Sequence, residues 1–180
     1  FLSVWQQKDY NHALLILEKW LEKHPDDIAI RSLLSDAYLS IKRNKEAIAS
    51  YHKLIQIAPE YAQGYNNLAI LLQKENLKKA ILLARKAHSL EKDNAYIMDT
   101  LASLLIANNQ LDKASRLLQK AVISAPQIVE IQYHYAELLI KQKDYKKARL
   151  VLKSIIQKSS ASQMQTKAQA LLTTLKTQRK

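Results

Sequence analysis

Small residues recur along this sequence with a fixed period, and this feature limits the possible folds more than any other. The first series is Ala13, Ala47, Ala80, Ala114 and Ala148. The second series is Ser35, Ala69, Ala102 and Ala136. Successive members are 33 or 34 residues apart in both series. A period of this length is typical of an array of repeated supersecondary units, each of which packs on its neighbours.

Each repeated unit is predicted to be a pair of helices joined by a short turn. In residues 28–61, one helical stripe consists of Arg31, Leu34, Ser35 and Tyr38. A second stripe consists of Ala47, Tyr51 and Leu54. Both have the spacing of one helix face, and the polar run KRNK between them is suited to a turn. The small residues of the two series are predicted to lie where the paired helices cross closely.

The units resemble the tetratricopeptide repeat (TPR), a 34-residue helical hairpin. That family has a small residue at its eighth position, alanine at its twentieth and proline at its thirty-second. The series that begins at Ser35 occupies the eighth position, and the series that begins at Ala13 occupies the twentieth. The prolines at the thirty-second position are Pro25, Pro59 and Pro126. Lys92 replaces one expected proline, Gly64 is the only glycine, and Trp20 stands where a smaller residue is more usual. The resemblance implies an all-α fold, a right-handed superhelical solenoid of helix-turn-helix repeats with a C-terminal capping helix.

The spacing divides the chain into a single array with four complete repeats. The predicted segments are a partial repeat at 1–27, repeats at 28–61, 62–94, 95–128 and 129–160, and a capping helix with a tail at 161–180. A terminal helix is expected because an array leaves its last apolar face uncovered. Phe1 already occupies the eighth position of a repeat, so we expect the chain to be one part of a larger protein.

The composition disfavours an enzyme and a bound cofactor. The sequence has no cysteine, and its single glycine leaves no phosphate-binding loop. The five histidines are dispersed and form no metal-binding pair of the HExxH type. They are His12, His24, His52, His88 and His134. We therefore expect no catalytic residue, no metal and no cofactor.

The TPR resemblance implies that a partner binds on the inner, concave surface formed by the first helices. The candidate residues are Asp36, Leu39, Gln63, Asn66, Gln73, Tyr96, Asp99, Ser103, Glu130, Tyr133 and Glu137. Amides and tyrosines can bind a peptide backbone, so the hypothesis is an extended or helical peptide or a protein segment. The alternative is that these are ordinary solvated helix faces. No repeat carries the Lys and Asn clamp of chaperone-binding TPR domains, and the carboxylates disfavour an acidic tail.

The positive charge of the chain is concentrated at its C-terminal end. The net charge is +12, and residues 141–180 contain eleven lysines or arginines and one acid. The candidate basic surface consists of Lys141, Lys143, Lys146, Lys147, Arg149 and Lys153. Such a cluster attracts an anionic polymer or membrane, or it only keeps the protein soluble. Nucleic acid is disfavoured because Tyr145 is the only aromatic residue in the segment.

Three short runs narrow the resemblance further. They are NNLA at 66–69, DTLA at 99–102 and EIQYHYA at 130–136. These runs resemble the C-terminal repeats of long bacterial TPR proteins of envelope and exopolysaccharide systems, including the exosortase-associated (PEP-CTERM) type. That resemblance implies a scaffold in the export or assembly of a surface polymer, and it favours the periplasm or cell envelope over the cytoplasm. The oligomeric state stays open.

Overall fold

The computed structural model describes residues 1–158 and 163–177, and every element in these residues is an α-helix. The chain divides into two compact units, Phe1–Leu90 and Glu91–Lys180. The helices of the first unit are α1 (Leu2–Gln6), α2 (Tyr10–Lys23), α3 (Ile28–Ser40), α4 (Asn44–Ile57), α5 (Ala62–Leu72) and α6 (Leu77–Leu90). Those of the second are α7 (Ala95–Ala107), α8 (Leu111–Ser124), α9 (Val129–Lys141), α10 (Tyr145–Lys158) and α11 (Gln163–Thr177). The all-α prediction is confirmed.

Close helix crossings explain why the small residues recur. All nine members of the two alanine and serine series are fully buried. At the crossing of α3 and α4, the hydroxyl oxygen of Ser35 lies 2.7 Å from that of Ser50. Ser35 also donates a hydrogen bond to the carbonyl of Arg31 at 2.8 Å. A larger side chain at such a crossing would force the two helices apart.

Most hairpin turns contain one residue in the left-handed backbone conformation. These residues are Lys8, Lys42, Asn109 and Lys143, with φ between 56° and 63°. After each of the last three, the next amide donates to a carbonyl five residues back, for example from Arg43 to Tyr38 at 2.9 Å. This is the bond pattern of a helix that ends with a left-handed residue. The turn after α5 is one residue shorter, and Asn76 donates there to Leu72 at 2.8 Å.

Several helices begin at a side chain that caps the free backbone amides. Asp27 accepts a hydrogen bond from the amide of Ile30 at 3.0 Å and starts α3. Asn94 accepts from the amides of Tyr96 and Ile97 and starts α7. Capping of this kind satisfies amides that have no partner within the helix, so these residues define where the first helices of two repeats begin.

The last helix packs its apolar face on the preceding hairpin. Ala168, Leu172 and Leu175 of α11 are buried in one cluster with residues of α9 and α10. The predicted boundary between the last repeat and the capping helix, at 160 and 161, lies outside the described residues, as does the tail from residue 178.

Among the described helices, none has the length and apolar character that a bilayer crossing requires.

Candidate functional site

All but one of the predicted partner-binding residues lie on the first helices of the repeats, and Gln73 is the residue that ends α5. They differ in their degree of exposure. The exposed members are Asp36, Gln63, Gln73, Tyr96, Ser103, Glu130 and Glu137. The half-buried members are Leu39, Asp99 and Tyr133. Asn66 differs from the expectation of an accessible groove residue, because it is only 3% exposed.

In the first unit, a network of polar side chains fixes the carboxylate of Asp36. Tyr51 donates its hydroxyl proton to Asp36 Oδ1. Asn67 donates from Nδ2 to Tyr51 Oη at 2.9 Å and to Asp36 Oδ1 at 3.2 Å. Gln63 in turn donates to Asn67 Oδ1 at 2.9 Å. Burial and the neighbouring Asp36 raise the pKa of Tyr51, so the phenol stays neutral and remains a donor.

The neighbouring Asn66 is part of the interior and not of the accessible surface. Its Nδ2 is 3.4 Å from Asn67 Oδ1, a long hydrogen bond. Its Oδ1 is buried and has no hydrogen-bond partner among the described residues. A charged substitution at Asn66 would therefore disturb folding, and it is unsuited to a test of binding.

In the second unit, α7 and α9 enclose a cavity of about 280 Å³. Its lining consists of Ser103, Ile106, His134, Glu137, Leu138 and Lys141. Half-buried Ile106 provides apolar surface above the fully buried Leu138, whereas Ser103, Glu137 and Lys141 provide a hydroxyl, a carboxylate and an ammonium group. The cavity thus brings together two predicted partner-binding residues, Ser103 and Glu137, and one residue of the predicted basic surface, Lys141.

His134 joins the two helices of this cavity. Its Nδ1 lies 2.9 Å from Oδ1 and 3.0 Å from Oδ2 of Asp99. The hydrogen bond to Asp99 raises the pKa of His134, partial burial opposes this effect, and the charges of Asp99, Glu137 and Glu130 add to it. Burial and the carboxylate of Glu137 also raise the pKa of Tyr133.

The sequence analysis missed both His134 and Asn67, although they share a signal. Each is the sixth residue of its repeat. Each reaches back to an aspartate on the first helix of the preceding repeat, from α5 to α3 and from α9 to α7. A polar residue at the sixth position, paired with an aspartate 31 or 35 residues earlier, is the pattern that could have identified them.

The residues of the predicted basic surface differ in their exposure and in their contacts. Lys141, Lys143, Lys146 and Lys153 are exposed. Lys147 forms an ion pair with Asp144 at 3.1 Å, and this contact raises the pKa of the lysine. Arg149 is half-buried and donates to the carbonyl of Leu175 in α11 at 3.3 Å, so it supports the fold of the second unit.

Two family models match successive parts of the chain. Residues 4–69 match the model described as tetratricopeptide repeat. Residues 73–155 match the model described as anaphase-promoting complex, cyclosome, subunit 3. A curated relative, anaphase-promoting complex subunit 7 of Mus musculus, is 24% identical over 155 residues, which are 85% of this chain. The chain spans 27% of the length of that relative.

Solved structures resemble this fold over most of its length. MamA from Desulfovibrio magneticus RS-1 has a TM-score of 0.76 at 17% identity, with 87% of this chain and 89% of that chain covered. YrrB, described as a TPR protein with an unusual peptide-binding site, has a TM-score of 0.71 at 18% identity, with 91% and 85% covered. At these identities the likeness shows the fold alone.

Proposed function

We propose that the chain is a non-catalytic scaffold of the tetratricopeptide repeat type, whose family model matches residues 4–69, and that it binds a peptide or protein segment along the first helices of its repeats. The observation that carries this proposal is the cavity of about 280 Å³ in the second unit. A cavity of this size can accommodate one side chain of a polypeptide.

The chemistry around the cavity supports a polypeptide partner. Ile106 can cover the apolar part of an inserted side chain, and Ser103, Glu137 and Lys141 can pair with the backbone around it. Tyr96, on the same helix as Ser103, is 61% exposed and adds a large surface with one hydrogen-bonding group. The fold resemblance to YrrB, which is described as having a peptide-binding site, agrees with this proposal.

A peptide library displayed on phage provides the test, because it selects ligands without requiring that the natural partner be identified first. Peptides are selected on the wild-type protein, and their affinities are then measured for Ser103→Arg with Glu137→Arg. Both residues are exposed, so the added guanidinium groups fill the cavity without disturbing the core. We expect an affinity loss of at least about tenfold, since blocking a central pocket removes the dominant contacts of an interface.

Gln119→Arg is the matched control, because Gln119 is exposed on α8 and does not line the cavity. This variant should bind the selected peptides as the wild type does. A selection in which no peptide loses affinity for the double variant would contradict the proposal.

A second candidate function is attachment to an anionic polymer or membrane through the basic surface. Four exposed lysines favour it, namely Lys141, Lys143, Lys146 and Lys153. Binding of vesicles that contain phosphatidylserine should weaken steeply with added salt and disappear in Lys143→Glu with Lys146→Glu and Lys153→Glu. Vesicle binding that survives these substitutions would contradict this candidate. The bacterial envelope and exopolysaccharide setting, with a periplasmic location, stays a prediction.

A further inference from the structure

The second helix of the first repeat leaves a tryptophan exposed where the other repeats bury a side chain. Trp20, in the partial repeat, occupies the twenty-seventh position of the repeat pattern and is 49% exposed. The residues at the equivalent position in the other repeats are fully buried. They are Leu54, Ala87, Ala121 and Ile155. The exposure of Trp20 therefore departs from the pattern of the other repeats, although the spacing of the small residues around it is regular.

The size of the indole explains this departure. Leu54, at the equivalent position of α4, faces α5. A Cβ built at Gly64 of α5 would lie 3.5 Å from Leu54 Cδ2. The corresponding first helix after α2 is α3, and it is present and packed against α2. Leu17 and Leu21 fill the interior side of α2. A tryptophan added between these helices would overpack them, so the ring turns outward.

Two contacts hold the exposed ring in one orientation. The indole Nε1 donates a hydrogen bond to Asp27 Oδ2 at 2.9 Å. The ring also packs on His24, with the ring centroids 4.4 Å apart and the planes inclined by 34°. Asp27 is fixed in turn, because its Oδ1 caps α3. An exposed tryptophan with a fixed orientation loses little entropy when a partner covers it, which is a property of residues that dominate interfaces.

The fixed ring lies beside an open surface cavity with a charged border, formed by α2 and the residue that follows it. The cavity has a volume of about 600 Å³ and is lined by Ile16, Lys19, Trp20, Glu22, Lys23 and His24. The helical spacing places Lys23 next to Ile16, with Lys19 beyond it and Glu22 at the far edge. In the described part of the chain, neither lysine forms an ion pair with a carboxylate. Two cations beside the apolar surface of Ile16 and Trp20 are therefore available to a partner.

We propose that this surface of α2 binds a polypeptide segment that places one aromatic or branched aliphatic side chain against Ile16 and Trp20 and carboxylates beside Lys19 and Lys23. A segment can direct its carboxylates to the two lysines and away from Glu22. An anionic membrane offers no such selection, and Glu22 at the edge of the cavity and Asp26 in the following turn would repel it. This second binding surface is independent of the first helices and of the cavity between α7 and α9.

Tryptophan fluorescence tests the proposal directly. The chain has two tryptophans, so Trp5→Phe leaves Trp20 as the only reporter. The probes are a short peptide with a central Phe between pairs of Glu, the same peptide with Lys in place of Glu, and the same peptide with Ala in place of Phe. We expect saturable binding of the first peptide with a shift of the Trp20 emission, and an affinity at least about tenfold higher than that of the other two.

Charge reversal on the protein provides the decisive comparison. Lys19→Glu with Lys23→Glu should lose the preference for the Glu-containing peptide and acquire one for the Lys-containing peptide. With a labelled peptide, Trp20→Ala should lose affinity by about tenfold, whereas Leu82→Ala, at a residue 68% exposed on α6, should not change it.

Three results would overturn the proposal. They are no saturable binding of the Phe peptide, an unchanged charge preference in the double lysine variant, or an emission shift caused by phosphatidylserine vesicles and by none of the peptides. None of these measurements involves Ser103 or Glu137, so failure here is separate from failure of the proposed scaffold function.

Discussion

His134 Nδ1 lies within 3.0 Å of both carboxylate oxygens of Asp99, and this contact fastens α9 to α7 along the candidate binding surface of the second unit. In the first unit, Asn67 makes the equivalent connection from α5 to Asp36 on α3. Each bridge joins the first helices of two successive repeats. The shape of each candidate surface therefore depends on polar contacts between repeats as well as on the apolar core.

The histidine bridge should make the stability of the second unit depend on pH. The pKa of His134 is raised above its ordinary value of 6.5, so folding favours the protonated ring. This contribution is complete below pH 6.5 and is lost as the pH rises through the raised pKa of the folded state. We expect His134→Gln to lower the free energy of unfolding by about 1 kcal/mol at the acidic end of this window and by less at alkaline pH.

Urea unfolding of the wild type and the variant, followed by circular dichroism from mildly acidic to mildly alkaline pH, measures this difference. His12→Gln is the control, because the pair of His12 and Asp9 is 3.7 Å long and exposed on both sides. Exposed ion pairs contribute little to the free energy of unfolding, so this variant should have the stability of the wild type at every pH. A stability difference for His134→Gln that is independent of pH would show that the bridge does not depend on the charge of the ring.

The repeat architecture could be predicted from the sequence because it depends on local spacing. The fully buried alanines, such as Ala47 and Ala114, indicate the close crossings directly. The repeat spacing alone does not identify the bridges, because which polar residue meets which aspartate depends on the offset between two first helices in the packed structure. Asn66 and Asn67 illustrate the difference: they are adjacent and chemically identical, but only Asn67 reaches Asp36. The sequence marks Trp20 as too large for its position, but its exposure follows from how α2 packs on α3.

The small-residue crossings should tolerate no larger side chain. Ala47 is fully buried on α4, whereas Ala49 is exposed two residues later on the same helix. Ala47→Leu should lower the free energy of unfolding by about 3 kcal/mol, since added methyl groups in a packed core force the helices apart. Ala49→Leu should change it by less than about 0.5 kcal/mol. Thermal unfolding of both variants measures the contrast, and equal melting temperatures would refute the crossing argument.

We expect Gly64 to be needed for stability because it has no Cβ, and not because of its backbone conformation. Its φ is not positive, and it lies within α5, where alanine is preferred by about 1 kcal/mol. A Cβ at this position would lie 3.0 Å from Ile55 Cγ2 and 3.2 Å from Tyr61 Cδ1. Because the Ile55 methyl group is on a stiff, β-branched carbon, we expect Gly64→Ala to be destabilising.

The same substitution should be better tolerated when Ile55 is also replaced by alanine. In the Ile55→Ala protein the closest contact is removed, and the helix propensity of alanine, worth about 1 kcal/mol, then opposes only the 3.2 Å contact with the Tyr61 ring. Urea unfolding of the four proteins of this double-mutant cycle gives the coupling energy. A coupling near zero would mean that the contact with Ile55 does not determine the effect.

Tyr51→Phe should destabilise the first unit more than an ordinary loss of a hydroxyl group. The hydroxyl donates to Asp36 and accepts from Asn67, and removing it leaves a buried amide hydrogen with one partner fewer. We expect a loss of about 2 kcal/mol in the free energy of unfolding. Tyr65→Phe, at a half-buried tyrosine outside this network, should cost much less. Chemical denaturation of both variants makes the comparison, and equal losses would mean that the network adds nothing.

The lysines in the left-handed conformation in the hairpin turns are positions at which a substitution could raise the stability of this protein. An L-residue in that conformation costs about 1 kcal/mol, a penalty that glycine does not carry. Lys8 and Lys42 stand at such positions, outside both candidate binding surfaces. Glycine at either turn would relieve this strain without touching the core. The stability gained from glycine at these turns could offset destabilising substitutions elsewhere, including those that reshape a binding surface for a new partner.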